Sequence, residues 1–95
     1  MGDGYEWDED KARQNIVRHR ISFEIARLAF DDPIAIERVD DRFRYNEARF
    51  IVIGMVAGRL LVVAYTLRNG MVRIISARGA EPNEKRRYHE DNALF

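Results

Sequence analysis

Two arginines stand in the segment from Val72 to Arg78, whose other residues are small or apolar. Several of these residues are β-branched, which favours a β-strand, so we predict a strand that carries guanidinium groups into a sheet. A guanidinium group stays charged near neutral pH, and its planar fork matches the oxygens of a phosphate. Because side chains alternate along a strand, Arg73 and Arg78 are predicted to point to opposite faces, so that at most one of them serves a given site.

Charge is unevenly distributed along the chain, although 16 basic and 16 acidic residues balance overall. The first ten residues hold five acids and no base, whereas 42–78 holds the single acid Glu47 and seven arginines, at positions 42, 44, 49, 59, 68, 73 and 78. Arginine outnumbers lysine 14 to 2, a bias that favours bidentate contact with phosphate. Arginines on exposed strands also block edge-to-edge pairing, so composition alone leaves a binding role and a protective role equally open.

Composition restricts the class of protein. A chain of 95 residues with 46% hydrophobic content is expected to form one domain over residues 1–95. No apolar run approaches the roughly 20 residues that cross a membrane, and the acidic start is unlike a signal peptide, so we expect a cytoplasmic protein. Cysteine is absent, and the acid pairs at 31–32 and 40–41 are more typical of caps and loops than of a cation site. We therefore expect no metal and no cofactor.

The pattern predicts two helices before Pro33 and one after the strands. Asp8 is a candidate N-cap for a helix that ends near His19, with acids in its first turn and bases in its last. Ser22 is the candidate N-cap of a second helix, which extends to the Asp31-Asp32-Pro33 stop. The two helices are expected to form a hairpin. A third helix is predicted to begin near Pro82, a residue suited to the first turn.

Four strands are predicted after Pro33, near residues 34–39, 45–55, 59–67 and 71–78. Asn69-Gly70 joins the last two, and both residues tolerate the positive φ of a tight hairpin turn. The apolar segment from Leu60 to Tyr65 is typical of a central strand covered on both faces. The predicted fold is α+β, with two N-terminal helices, a four-stranded antiparallel meander and a C-terminal helix.

Several short segments follow one another in a distinctive order and spacing: Glu6-Trp7-Asp8 with Lys11 and Asn15, Arg18-His19-Arg20, Ser22-Phe23-Glu24, Phe30-Asp31-Asp32-Pro33, Glu47-Ala48-Arg49, Ile53-Gly54, Leu61 to Thr66, Arg73 to Arg78, and Glu84 with Tyr88. Together they resemble the BrnT family of bacterial toxins over Tyr5 to Tyr88. BrnT toxins are similar to RelE-like ribonuclease toxins. The resemblance therefore implies a RelE-like fold and a metal-independent endoribonuclease that cleaves RNA and inhibits translation.

The resemblance also implies a partner. BrnT toxins are neutralised by BrnA, a ribbon-helix-helix antitoxin, through which the complex is expected to form a higher-order oligomer on operator DNA. Two positions depart from the family pattern. Arg20 stands where a glycine commonly follows the histidine, which predicts a different turn between the helices. Gly79 stands where a second arginine commonly follows Arg78, which removes one phosphate contact.

Cleavage of RNA without a metal uses the 2′-hydroxyl as the internal nucleophile. The protein must then supply a base, an acid and cations for the crowded phosphate oxygens. Histidine suits either proton-transfer role because its ordinary pKa is near neutral. The catalytic candidates are His19 and Glu47 for proton transfer, with Lys11 and Glu84 as further candidates, and Arg49, Arg73 and Arg78 as the cations. Aromatic rings stack on unpaired bases, and the RNA-binding candidates are Lys11, Tyr45, Tyr65 and Tyr88.

Several of these candidates have structural alternatives. His19 stands at a helix end, where a base also favours the helix dipole. Glu47 and Arg49 lie two residues apart and would meet each other or a cross-strand neighbour on one sheet face. Tyr65, in a central strand, is also typical of a core. A module that binds RNA without cleaving it, or a subunit that mainly docks the antitoxin, therefore stands as the alternative to a ribonuclease.

Overall fold

The computed structural model describes residues 4–41 and 46–92. In chain order, its elements are β1 (Tyr5–Trp7), α1 (Glu9–His19), α2 (Phe23–Ala26), a 3₁₀ helix (Arg27–Asp31), β2 (Ile36–Val39), β3 (Arg49–Val56), β4 (Arg59–Arg68), β5 (Met71–Gly79) and α3 (Pro82–Asp91). The strands form one mixed sheet in the order β1-β5-β4-β3-β2. The predicted α+β class is confirmed.

The N-caps predicted from the sequence are present. The Asp8 carboxylate accepts hydrogen bonds from the backbone N–H groups of Asp10 and Lys11, and the Ser22 hydroxyl accepts one from Ile25. The second helix is shorter than predicted, because α2 ends at Ala26 and the chain continues as a 3₁₀ helix, a common way for a helix to tighten at its end. No helix in the described part of the chain has the length and apolar character needed to cross a membrane.

Arg20 forms the C-cap of α1 in the left-handed conformation, with φ 60° and ψ 33°. Its backbone N–H donates to the carbonyl of Ile16 at 2.8 Å. Glycine is the usual residue in this conformation because a Cβ there costs about 1 kcal/mol or slightly more. The chain therefore makes a turn typical of glycine at this position and accommodates arginine there by strain.

The sheet has one strand more than predicted. Strands β2 to β5 form the antiparallel meander expected from the sequence, but β1 pairs with β5 in parallel, from Tyr5 opposite Val72 to Trp7 opposite Ile74. The prediction of a purely antiparallel, four-stranded sheet is therefore wrong. Three residues are too few to show an alternating pattern, and this strand ends immediately before the N-cap of α1.

Two tight turns connect the long strands. Asn69 and Gly70, between β4 and β5, have φ values of 54° and 75°, which confirms the hairpin predicted from this dipeptide. Ala57 and Gly58, between β3 and β4, have φ values of 49° and 81°. Positive φ at both central positions gives a turn whose twist matches that of the flanking strands.

Strand β5 contains a β-bulge. In its ladder with β4, Ile74 pairs with Tyr65 and Ser76 pairs with Ala64, so Ile75 has no partner. An extra residue in one strand reverses the alternation of side chains beyond it. Odd-numbered positions of β5 therefore face one side of the sheet before Ile75 and the other side after it.

The bulge overturns the prediction that the two arginines of β5 point to opposite faces. Arg73 pairs with Thr66 and Arg78 pairs with Val62. Thr66 and Val62 are four residues apart in β4, which continues without an extra residue, so they share a face. Arg73 and Arg78 therefore share that face as well.

Helices cover both faces of the sheet. The larger core lies under α1, α2 and the 3₁₀ helix and contains Trp7, Ala12, Ile21, Phe23, Ala26, Ala29, Val52, Leu61, Val63, Tyr65, Ile74 and Ala77. The smaller core lies under α3 and contains Ile51, Ile53, Leu60, Val62 and Tyr88. Strand β4 contributes to both cores, which confirms the prediction of a central strand covered on both sides. We call the face that carries α3 the outer face.

Candidate functional site

A row of paired residues crosses the outer face from β3 to β1. Arg49 is opposite Thr66, Thr66 is opposite Arg73, and Arg73 is opposite Glu6. Neighbouring strands lie about 4.8 Å apart, so Arg49 and Arg73 are separated by roughly 10 Å of backbone. Between them, the hydroxyl of Thr66 donates to the carbonyl of Ala48 at 2.6 Å and is buried.

Two further rows complete the surface. One runs from Arg38 in β2 through Ile51 and Ala64 to Ser76 in β5, and the other ends at Arg78. Ser76 is exposed and Ala64 is half-buried, so solvent reaches the surface between the arginines. We call the set of Arg38, Arg49, Arg73 and Arg78 the arginine face.

Acidic side chains hold two members of the arginine face in place. Arg73 donates to Glu6 at 3.0 Å, and both side chains are slightly more than one quarter exposed. Arg78 forms a bidentate pair with Glu84, in which Nη1 and Nη2 each donate to a carboxylate oxygen at 2.7 Å. Two parallel bonds fix the plane of the guanidinium as well as its position. Arg78 is thereby anchored at the beginning of α3.

Glu84 is suited to positioning rather than to proton transfer. Its side chain is only 8% exposed, and it also accepts a hydrogen bond from the backbone N–H of Glu81 at 2.8 Å. The hydrogen bonds from Arg78 lower the pKa of Glu84 further than burial raises it. A carboxyl group with a lowered pKa is a weak base and holds no proton to donate near neutral pH.

A basic flank of α1 lies beside the exposed part of β5. Lys11, Arg18 and His19 line a cavity of about 200 Å³ together with Ser76 and Ile75. Lys11 and Arg18 are seven residues apart, so they lie two turns apart on one side of the helix. The cavity brings a histidine and two cationic side chains to the edge of the strand that carries Arg73 and Arg78.

Asn15 fixes this helix against the sheet. Its buried amide donates to the carbonyls of Ile21 and Ala77, both at 2.9 Å, and accepts from the N–H of Ala77 at 3.1 Å. Strand β1 ends opposite Ile74, so the Asn15 side chain continues the edge of β5 where no strand pairs with it. The position of the basic flank therefore depends on one buried amide.

The model of a known family matches this chain. The family is described as the ribonuclease toxin BrnT of type II toxin-antitoxin systems, and the match covers residues 7–84. The chain belongs to this family. The resemblance read from the sequence is thereby confirmed, and it makes the chain a ribonuclease toxin that has an antitoxin partner. None of the curated proteins compared with the chain matches it.

The BrnT fold brings together five of the predicted site residues around β5. Arg49, Arg73 and Arg78 belong to the arginine face, and Lys11 and His19 lie on the flank of α1. Their catalytic and binding roles stay predictions. Tyr45 lies outside the described residues.

Glu47 meets a residue of β4, one of the alternatives that its spacing left open. Its carboxylate accepts from Arg68 at 2.7 Å, and both side chains are about two fifths exposed. Glu47 lies near the Arg49 end of the row that runs from β3 to β1.

The two remaining tyrosines belong to the cores. Tyr65 is 6% exposed and its hydroxyl donates to Glu37 at 2.5 Å, while Tyr88 is 3% exposed and donates to Asp32 at 2.6 Å. Burial and the carboxylate partner raise the pKa of both hydroxyls, that of Tyr88 to about 12. A ring must be exposed to stack on a base, so this BrnT structure gives both tyrosines a structural role.

Sequence reasoning missed three residues of the site. Arg18 was identifiable from its helical spacing to Lys11, and Arg38 from its place in a predicted strand. Ser76 became central only through the bulge, for which the sequence has no recognisable signal.

This BrnT chain has Gly79 where a second arginine is common in the family, and another arginine side chain occupies the space beside it. The guanidinium of Arg59 lies over Gly79, where a Cβ would stand 2.9 Å from Nη2. A side chain at this position would therefore displace Arg59.

Proposed function

We propose that this chain is a metal-independent endoribonuclease whose arginine face binds the backbone of an RNA strand. The bulge at Ile75 is the observation that carries the proposal, because it places Arg73 and Arg78 on the face that also holds Arg49. Arg73 and Arg78 lie on either side of the exposed Ser76 along this face, and Arg49 lies two strands away. A phosphate above Ser76 would lie between two fixed cations, which stabilise the charge that develops on phosphate oxygens during cleavage.

The reaction requires no group beyond the RNA and the protein. A base removes the proton of the 2′-hydroxyl, the resulting oxygen attacks the adjacent phosphorus, and the bond to the 5′-oxygen breaks as an acid protonates that oxygen. The products are a 2′,3′-cyclic phosphate and a 5′-hydroxyl. His19 is the best-supported proton-transfer group because it lines the cavity beside Ser76. Glu47 is the second candidate, and Glu84 positions Arg78.

The cellular part of the proposal rests on family membership. A ribonuclease toxin of a type II system acts on RNA inside the cell that makes it, so we assign this chain to the cytoplasm and to inhibition of translation. We assign its neutralisation to a BrnA-type ribbon-helix-helix antitoxin. That antitoxin would also carry the complex onto operator DNA as a higher-order oligomer.

Cleavage in the presence of a chelator tests the chemistry. Purified protein is incubated with a single-stranded RNA in excess EDTA, and the products are separated on a denaturing gel and tested for cyclic phosphate ends. The same RNA with a single 2′-deoxy substitution at the major cut is the matched control and should resist cleavage there. RNA that stays intact while it binds would favour the non-catalytic alternative. Cleavage abolished by EDTA and restored by a divalent metal would contradict the mechanism.

A further inference from the structure

A second cavity, of about 360 Å³, lies between α3 and the turn that joins β3 to β4. Its charged lining residues are Arg59, Lys85 and His89, and the other lining residues are glycine or apolar. Lys85 and His89 are four residues apart, so they project from the same side of α3. The lining thus presents up to three positive charges and no carboxylate.

The basic groups of this cavity differ from those of the arginine face in their partners. Within residues 4–41 and 46–92, no carboxylate forms an ion pair with Arg59, Lys85 or His89. Arg73 and Arg78, in contrast, are both paired with glutamates. An anion in this cavity would therefore meet basic groups with no carboxylate among the lining residues.

The guanidinium of Arg59 occupies space that the absence of a side chain on Gly79 leaves open. The guanidinium lies 2.9 to 3.6 Å from the place where a Cβ of residue 79 would stand. It therefore packs against the backbone of β5 and faces the same space as Lys85. A guanidinium fork and an ammonium group that line one cavity suit an anion with several oxygens, as a phosphate has.

We propose that Arg59, Lys85 and His89 form a second phosphate-binding site, which takes a phosphodiester of an RNA strand outside the cleavage centre. The assignment to RNA rests on the proposed function. Lys85 and His89 of the second site belong to α3, and the same helix carries Glu84, which holds Arg78 of the arginine face. One RNA strand that crosses α3 can therefore contact both sites. The second site would add affinity without taking part in bond cleavage.

The two histidines of the chain provide separate reporters for the two sites, because His19 lies beside Ser76 and His89 lies at the second cavity. Imidazole resonances are followed by NMR during titration with inorganic phosphate. A second titration uses a ten-nucleotide 2′-O-methyl RNA, which lacks the nucleophile and stays intact. We expect both probes to shift the His89 resonances.

The variants Lys85→Ala and Arg86→Ala form a matched pair, since they remove neighbouring cations of one helix and only Lys85 lines the second cavity. We expect Lys85→Ala to weaken phosphate binding at His89 about fivefold. For the oligonucleotide it should lower the slope of log affinity against log salt concentration by about 0.7, the value for one lost contact to single-stranded nucleic acid. Arg86→Ala should leave the His89 response unchanged, and circular dichroism should show the same helix content in both.

The proposal is overturned if neither probe moves His89, or if both variants weaken the His89 response equally. A response to phosphate without a response to the oligonucleotide would overturn the assignment to RNA and point to small phosphorylated molecules. Absence of cleavage with an intact His89 response would contradict only the proposed function. The failures of the two proposals are therefore distinguishable.

Discussion

Arg73 and Arg78 lie on the same face of the sheet although five positions separate them along β5. In a regular strand such a spacing would place them on opposite faces. The unpaired Ile75 between them reverses the alternation, as one extra residue does in a β-bulge. The arginine face therefore depends on a backbone irregularity and not on a pattern of residue types.

Removal of the guanidinium of Arg73 should slow cleavage more than it alters stability. Arg73→Ala is expected to lower the cleavage rate by roughly 10- to 100-fold, because a cation that faces the developing charge contributes a few kcal/mol to the transition state. Glu6→Gln is the matched control, since it breaks the same ion pair but keeps the guanidinium. Single-turnover rates on one RNA should fall only in Arg73→Ala. Equal losses in both variants would mean that the ion pair matters and the cation does not.

The bidentate contact of Glu84 with Arg78 should make stability depend on pH. The pKa of Glu84 is lowered below its ordinary value of 4.5, chiefly by the hydrogen bonds from Arg78. The folded state thus binds the proton less readily than the unfolded state, so the contribution is complete above pH 4.5 and is lost as the pH falls through the lowered value. Glu84→Gln should reduce the free energy of unfolding by about 2 kcal/mol at pH 7.

Urea unfolding at pH 7 and pH 3 tests this expectation. The difference between wild type and Glu84→Gln should shrink at pH 3, because this pH lies below the ordinary pKa of 4.5 and the unfolded state has then taken up the proton. Glu81→Gln is the control, because Glu81 is 70% exposed and 3.9 Å from Arg78 and should contribute little. A difference of the same size at both pH values would show that charge is not the source of the stabilisation.

The strained C-cap of α1 predicts a stabilising substitution. Arg20→Gly should raise the free energy of unfolding by about 1 kcal/mol, since glycine adopts φ 60° without steric conflict. Arg18→Gly introduces the same residue inside the helix and should lower stability by a similar amount. For a chain of this size the expected change in melting temperature is about 4 to 8 °C in either direction. A destabilised Arg20→Gly variant would show that the arginine side chain itself stabilises the turn.

Local features of the fold were predictable because a few neighbouring residues determine them. Asp8 and Ser22 cap their helices, and Asn69-Gly70 makes the hairpin, as expected from those residues alone. Strand β1 was not predictable, because three residues carry no period and their partner lies more than sixty positions away. Local chemistry thus predicted the helix starts and the turns but not the edge of the sheet.

The site was predictable in its residue types and not in its geometry. The excess of arginine pointed to phosphate, and Lys11 and His19 lie at the same edge of β5. The shared face of Arg73 and Arg78 was missed because a single added residue reverses a period of two. The pairing of Arg78 with Glu84 was also missed, since it depends on where α3 packs on the sheet.

Loss of the Asn15 amide should affect both stability and cleavage. Asn15→Ala removes the partner of two buried carbonyls and of the Ala77 N–H, and each unsatisfied group costs about 1 kcal/mol or more. We expect a loss of about 3 kcal/mol in the free energy of unfolding. The cleavage rate should also fall by more than the loss of folded protein explains, because the flank with His19 loses its anchor on β5. Val17→Ala, in the same helix but 85% exposed and outside the cavity that His19 lines, is the control and should leave both measurements nearly unchanged.

The buried hydroxyl of Tyr88 predicts a loss of stability in alkali. Burial, together with its hydrogen bond to Asp32, raises the pKa of Tyr88 from 10.0 to about 12. Above pH 10 the unfolded state therefore loses a proton that the folded state keeps, so stability decreases as the pH rises from 10 to 12. Tyr88→Phe removes the titrating group, and its lower stability at pH 8, by about 1 kcal/mol, should approach that of wild type at pH 11. Urea unfolding of both proteins at the two pH values measures this convergence, and a constant gap would mean that the Tyr88 hydroxyl ionises equally in both states.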